Sequence, residues 1–181
     1  MLTTIRVGVY DWAHFATDDG YYPDDLPEEW RLSYYANEFE TACISLTPQV
    51  LQSIDEPEWL EDLAPGFQLY FDTTPAISQK SELLPQLNTF KTVISESAVA
   101  TRAHFVDVAA CCWTPQSQKA SAFALMPGNE DIKAYRQWIE QWMEPTIQKD
   151  SQHESILWLQ GAQARYSTLS EIRSLVELMG Y

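Results

Sequence analysis

Short apolar runs rich in β-branched residues alternate along this chain with segments of helical periodicity, and that alternation leaves few architectures open. Ile5–Tyr10 reads as a strand buried on both faces and His104–Ala110 as another buried strand, and Thr41–Leu46, Phe67–Phe71, Ser121–Met126 and Ile156–Leu159 read as further strands. Strands that alternate with helices imply a parallel sheet with right-handed crossovers. Six strands are two short of the closed eight-stranded barrel. The expected fold is therefore α/β, a TIM-barrel-like parallel sheet with surrounding helices, incomplete or open. One domain over residues 1–181 suffices, since a chain of this size buries about two-thirds of its unfolded surface.

The intervening segments carry helix signals. Asp25 is placed to cap a helix with Pro27 and Glu28-Glu29 in its first turn, and Trp30, Tyr34 and Tyr35 on one side. Pro57 to Leu63 predicts a short helix with Trp59, Leu60 and Leu63 inward, and 78–97 is mostly helical with an interruption near Pro85. Asn129 precedes a helix whose apolar face is Ile132, Tyr135, Trp138, Ile139, Trp142 and Met143, with Pro145 to stop or kink it. Thr168 and Glu171 have capping-box spacing before Leu169, Ile172, Leu175, Val176 and Met179, and Gly180 closes the chain's last helix.

Charge narrows the function classes. The formal net charge is −15, from 26 acidic against 11 basic residues. That field repels nucleic acid and anionic membrane, and no Lys/Arg cluster offers a pocket for a phosphorylated substrate. Nucleic-acid mimicry needs carboxylates along one elongated face, whereas many here fall in one loop region: Asp18, Asp19, Asp24, Asp25, Glu28 and Glu29. The N-terminal residues lack the pattern of a secretory signal, and no apolar run approaches the ~20 residues needed to span a bilayer. Three cysteines are an odd number without disulfide spacing. A cytoplasmic protein with reduced thiols is expected. The seven Trp and nine Tyr point first to an aromatic core, and second to an aromatic binding surface.

Five short stretches, in order, resemble the YecE-like family, whose members look like TIM barrels. Its opening pattern finds matches in Gly8, Trp12, Tyr21-Tyr22-Pro23, Tyr35-Ala36 and Phe39 through Ser45. Its P-x-F-x-F-x-V-K strand resembles Pro65 through Asp72, and its V-E-F-R-H-x-S-W segment resembles Val106 through Trp113. Its V-R-L-H-G and Y-S-x-x-E-L ending is similar to Leu157 through Gly161 with Tyr166-Ser167 and Glu171-Ile172. Apolar and turn residues match, but the polar residues at strand ends are exchanged. By this resemblance the family's Glu falls at Cys43, its Asn at Ser45, its Lys at Asp72, its Arg and His at Ala109 and Ala110, and its second Arg and His at Trp158 and Gln160. The intervening segments are shorter than the family's, and the final strand is expected to be missing.

In parallel α/β barrels chemistry sits at the C-terminal strand ends. Without Arg or Lys there, stabilisation of a negative transition state is lost. The residues left to form a binding mouth are Asp11, Trp12, Tyr22, Cys43, Ser45, Asp72 and Gln160. Asp11 and Asp72, with Asp107 and His14, form an alternative divalent-cation set. The blander reading makes Asp11 a loop-start residue and Asp72 a strand terminator bonded to loop amides. Cys43 would need a base such as His104 within reach to act as a nucleophile. As a small buried apolar residue it needs nothing. Cys111-Cys112 reads as packing and loop, because adjacent cysteines bridge only with strain. His153, in a polar run, is read as solvated.

The expectation is a non-catalytic YecE-like barrel acting as a protein-binding or assembly module, with no cofactor. A protein partner and homo-oligomerisation are expected, because an absent strand leaves a sheet edge to cover. The alternative is a hydrolase or lyase with a remade acidic, divalent-metal site at the strand ends. A third class is small-molecule binding without turnover in an aromatic mouth lined by Trp12.

Overall fold

Strands form at all six predicted places: β1 Ile5–Tyr10, β2 Thr41–Ser45, β3 Gln68–Asp72, β4 Ala103–Val106, β5 Phe123–Met126 and β6 Ser155–Gln160. The computed structural model describes residues 4–15, 20–53, 63–78, 83–97, 99–147 and 154–181. The strand order is β4-β3-β2-β1-β6-β5. With the helices between the strands, this is an incomplete TIM-barrel-like α/β fold. The helices are α1 Arg31–Ala36, α2 Pro48–Ser53, α3 Thr74–Ser78, α4 Leu84–Glu96, α5 Val108–Cys111, α6 Ile132–Ile147 and α7 Tyr166–Met179.

Strand order corrects the expectation about which strand is lacking. In a closed barrel the last strand pairs with the first. Here β6 pairs in parallel with β1 from Ile5↔Ser155 to Tyr10↔Gln160. The last strand is therefore present beside the first, and β4 and β5 are the outer strands of the order.

The chain divides into two compact units, Met1–Tyr21 with Cys111–Tyr181, and Tyr22–Ala110. In the first, β1, β6 and β5 pair in parallel, and α7 lies on β1. Tyr135, Ile139, Trp142 and Met143 of α6 are all buried, the i, i+4, i+7, i+8 stripe of a core-facing helix. The Trp142 indole N–H donates to the Ser121 carbonyl at 2.7 Å, which fixes the approach to β5. In the second unit β2, β3 and β4 pair in parallel. Phe90 of α4 meets Phe71 and Phe105 edge-on at 5.0 and 6.0 Å, so those rings mark the face that α4 covers. Tyr35 is fully buried, and its hydroxyl donates to the Thr41 carbonyl at 2.9 Å.

Several predicted boundaries are corrected. The fourth strand stops at Val106, because Asp107 accepts the Ala110 N–H at 3.1 Å and starts α5 where the apolar pattern continued as strand. Asp131, rather than Asn129, caps α6 by accepting the Ala134 N–H at 2.8 Å. Arg165 precedes α7 without a side-chain cap, and Thr168 lies inside that helix, so the expected capping box does not form. Asp25 caps nothing; a 3-10 turn at Glu28–Trp30 begins after Pro27 and leads into α1. Trp30 and Tyr34 are 62% and 38% exposed while Tyr35 is buried, so the three do not share a side. Pro85 opens α4 instead of interrupting it. Asp18, Asp19, His153 and most of the predicted helix at 57–63 lie outside the described residues.

The Tyr135 hydroxyl donates to the Pro127 carbonyl at 2.7 Å and accepts the Glu130 N–H at 3.2 Å. Burial pushes its pKa above the ordinary 10.0, against the lowering effect of the Glu130 N–H. The folded state thus favours the neutral phenol. Its contribution is complete below pH 10.0 and is lost as pH rises through the raised folded value. Tyr135→Phe should cost about 1 kcal/mol at neutral pH and flatten the alkaline fall in stability. Urea unfolding across that range reads both effects, and an unchanged alkaline slope in the variant would contradict the assignment.

Candidate functional site

In the first unit, β1 and β6 end side by side, with Tyr10 opposite Gln160. The Gly161 N–H donates to the Tyr10 carbonyl at 2.7 Å. A Cβ at Gly161 would stand 2.6 Å from the Tyr10 oxygen and 2.7 Å from the Asp11 oxygen, so the two strand ends meet only over a glycine. Asp11 follows with φ 59, ψ 53, a left-handed conformation that Asp tolerates better than most residues. Its Oδ2 lies 2.8 Å from His14 Nδ1, pairing the half-buried residue that precedes the 3-10 turn Trp12–His14 with the turn's exposed last residue. The Trp12 indole nitrogen is buried and has no hydrogen-bond partner among the described residues. Asp11, Trp12 and the exposed Gln160 are therefore brought together.

In the second unit, Ser45 and Asp72 end β2 and β3 in register. Asp72 is 1% exposed. Its Oδ1 accepts the Thr74 N–H at 2.9 Å, the Thr74 hydroxyl at 2.6 Å and the Val108 N–H at 3.1 Å. Thr74 Oγ1 also lies 3.0 Å from Asp107 Oδ1 and accepts the Ala109 N–H at 3.2 Å. The carboxylate thus ties the end of β3 to the starts of α3 and α5. Signals for this knot are in the sequence: Asp72 precedes the Thr74-Pro75 pair, and Asp107 precedes small helix formers. The residues sequence reasoning passed over are Thr74 and Asp107 as a cap.

Cys43 is fully buried in the middle of β2. It pairs with Tyr70, which pairs with His104. Cys43 and His104 are therefore two strand spacings apart, about 9–10 Å, and no thiol–imidazole hydrogen bond spans that. His104 Nε2 instead meets Gln68 Oε1 at 2.7 Å, and its ring lies 5.0 Å from that of Tyr70. Tyr22 sits with α1, its ring 5.9 Å from Tyr34 and 5.4 Å from the Arg31 guanidinium carbon. Tyr22 thus belongs to an aromatic–cation cluster with α1.

No Lys or Arg occupies the last position of any of the six strands. Among the described residues there is no group of three His, Cys, Asp or Glu side chains arranged to hold a metal ion. One open cleft of about 460 Å³ lies along α6, lined by Gln137, Glu140, Gln141, Glu144 and Tyr181. Burial and the neighbouring Glu140 push the Tyr181 pKa up. No described helix is long and apolar enough to cross a membrane.

The two edges of the strand order differ. In the ladder between β3 and β4, Leu69 N–H donates to the Arg102 carbonyl and Thr73 N–H to the Val106 carbonyl, both at 2.8 Å. Residues 102, 104 and 106 therefore face β3, and the backbone groups of Ala103 and Phe105 point outward. On β5 the outward groups are taken: Trp113 N–H donates to the Phe123 carbonyl and Leu125 N–H to the Trp113 carbonyl, each at 2.8 Å.

No protein-family model, curated protein or solved structure matches this chain. Function is therefore argued from the site.

Proposed function

We propose that the chain is a shortened, non-catalytic relative of the YecE-like barrels that works in the cytoplasm as a protein-binding and assembly module. The observation that carries this reading is the outer edge of β4, where Ala103 and Phe105 direct N–H and C=O groups away from β3 while Trp113 covers the equivalent groups of β5. An edge of that kind pairs with another strand. A second copy of the chain is the simplest partner. The strand ends support the non-catalytic half: Asp72 is engaged by three donors of its own unit, and Cys43 lies in mid-strand, two strand spacings from His104.

The test is light scattering over a concentration series, with amide exchange at Ala103 and Phe105. Self-association with slowed exchange at those two amides is expected. Ala103→Pro, which removes an outward N–H at the first position of β4 without deleting a packed ring and resists ladder pairing, should give a monomer with an unchanged circular dichroism spectrum. A strict monomer whose two amides exchange freely at every concentration would count against the reading. The alternative is a hydrolase or lyase using Asp11 and Asp72, motivated by the Asp11–His14 contact. Its test is the cation response argued in the Discussion.

A further inference from the structure

We propose that Cys111 and Cys112 form a two-sulfur site for a single thiophilic atom of the class represented by trivalent arsenicals. Their Sγ atoms stand 3.9 Å apart. Cys111 is half-buried at the last position of α5, and Cys112, the next residue, is 4% exposed. Three chemistries compete for such a pair, and geometry separates them.

A direct disulfide needs sulfurs about 2.05 Å apart, and the ~3.8 Å between adjacent Cα atoms falls below the ~4.4 Å lower end of the usual disulfide range. Insertion of one atom fits better. Two thiolates bound at about 2.3 Å to a tetrahedral centre stand roughly 3.8 Å apart, close to the observed spacing. A tetrahedral ion such as zinc needs two further ligands, and the described residues supply no third His, Cys, Asp or Glu. A three-coordinate soft centre that carries its own third substituent needs only the two sulfurs. Its angles draw the sulfurs slightly closer, a change within reach of one side-chain rotation.

The half-buried Cys111 is the point of entry and Cys112 the closing partner. With an arsenoxide, two S–H bonds and the As=O bond break, two As–S bonds form and one water leaves, with no electron transferred. The second bond is intramolecular, so the pair should outcompete monothiols at concentrations where one cysteine does not. This site is independent of the assembly reading.

The experiment treats the full chain with one equivalent of phenylarsine oxide and measures intact mass in excess glutathione. One phenylarsenic group per chain should persist and be stripped by dimercaptopropanol. Cys43→Ala should keep it. Cys111→Ala and Cys112→Ala, each checked for folding by circular dichroism, should weaken retention by roughly a hundredfold or more. Peptide mapping of the wild-type adduct gives a readout that needs no variant: the arsenic should sit on the peptide holding both cysteines. Release of wild-type arsenic to glutathione, equal retention by either folded single variant, or mapping to Cys43 overturns the proposal.

Discussion

Replacing Trp142 with alanine should lower the unfolding free energy by about 4 kcal/mol, within the range for truncating a large buried aromatic side chain. Trp142 is fully buried at the centre of the α6 stripe, between Ile139 and Met143, which are also fully buried. Two effects add in this variant. A cavity of indole size opens in a core that relaxes only partly. The Ser121 carbonyl loses the N–H that meets it at 2.7 Å, just before the strand that carries the Trp113 bridge. Trp142→Phe retains most of the apolar volume and loses the hydrogen bond, so it should cost about 1–2 kcal/mol. With total stabilities of roughly 5–15 kcal/mol for single domains, the alanine variant loses roughly a quarter or more of the total and the phenylalanine variant far less. Urea denaturation measures both through the midpoint at constant slope. Trp30→Ala is the control, since Trp30 is 62% exposed and its loss should change stability by no more than about 0.5 kcal/mol. Equal losses at Trp142 and Trp30 would mean that α6 does not pack as described.

That contrast between two tryptophans marks what the sequence could reveal. Periodicity marked Ile132, Tyr135, Trp138, Ile139, Trp142 and Met143 as one apolar face, because a sixteen-residue helix repeats its pattern several times; Tyr135, Ile139, Trp142 and Met143 are buried, whereas Trp138 is half-buried and Ile132, in the first turn, is 41% exposed. Strands announce themselves as short apolar runs, and all six were legible, the half-buried β4 and β5 included. Helices α2 and α3, of six and five residues, complete too few turns for a period to emerge. The run from His104 to Ala110 contains no glycine or proline, so its division at Asp107 depends on one cap that local pattern cannot distinguish from a polar strand residue. Trp30, Tyr34 and Tyr35 look alike in sequence; Tyr35 is the buried one, and it reaches Phe39 and Phe67.

The candidate site divides in the same way. The meeting of Asp11, Trp12 and Gln160 follows from β1 lying beside β6, a pairing that the expected loss of the final strand had left out. Cys43 was grouped with strand-end residues through the resemblance, but a residue in mid-strand is enclosed by its neighbours on both sides. Trp113 could not be identified as the cover of the β5 edge, because an isolated bridge of one residue has no pattern.

Asp72→Ala should cost about 3 kcal/mol, the scale for leaving several buried donors without their charged acceptor. The Thr74 and Val108 N–H groups start α3 and α5, and both meet the same carboxylate oxygen. Helix starts carry partial positive charge, so a carboxylate there is held by dipoles without a cationic side chain. Asp72→Asn keeps an acceptor but loses the charge and adds an amide group that needs partners, so about half that loss is expected. Thermal unfolding with and without magnesium, calcium or manganese then separates the two functional readings. If Asp72 serves only as the knot between β3, α3 and α5, these ions should raise the wild-type midpoint no more than sodium chloride of equal ionic strength, and both variants should lose stability equally with and without them. If it belongs to an acidic metal site, wild type should gain stability with ion concentration by mass action, and Asp72→Asn should abolish that gain. The second outcome removes the ground for a non-catalytic module, because a buried carboxylate that answers to a cation is doing more than closing a turn.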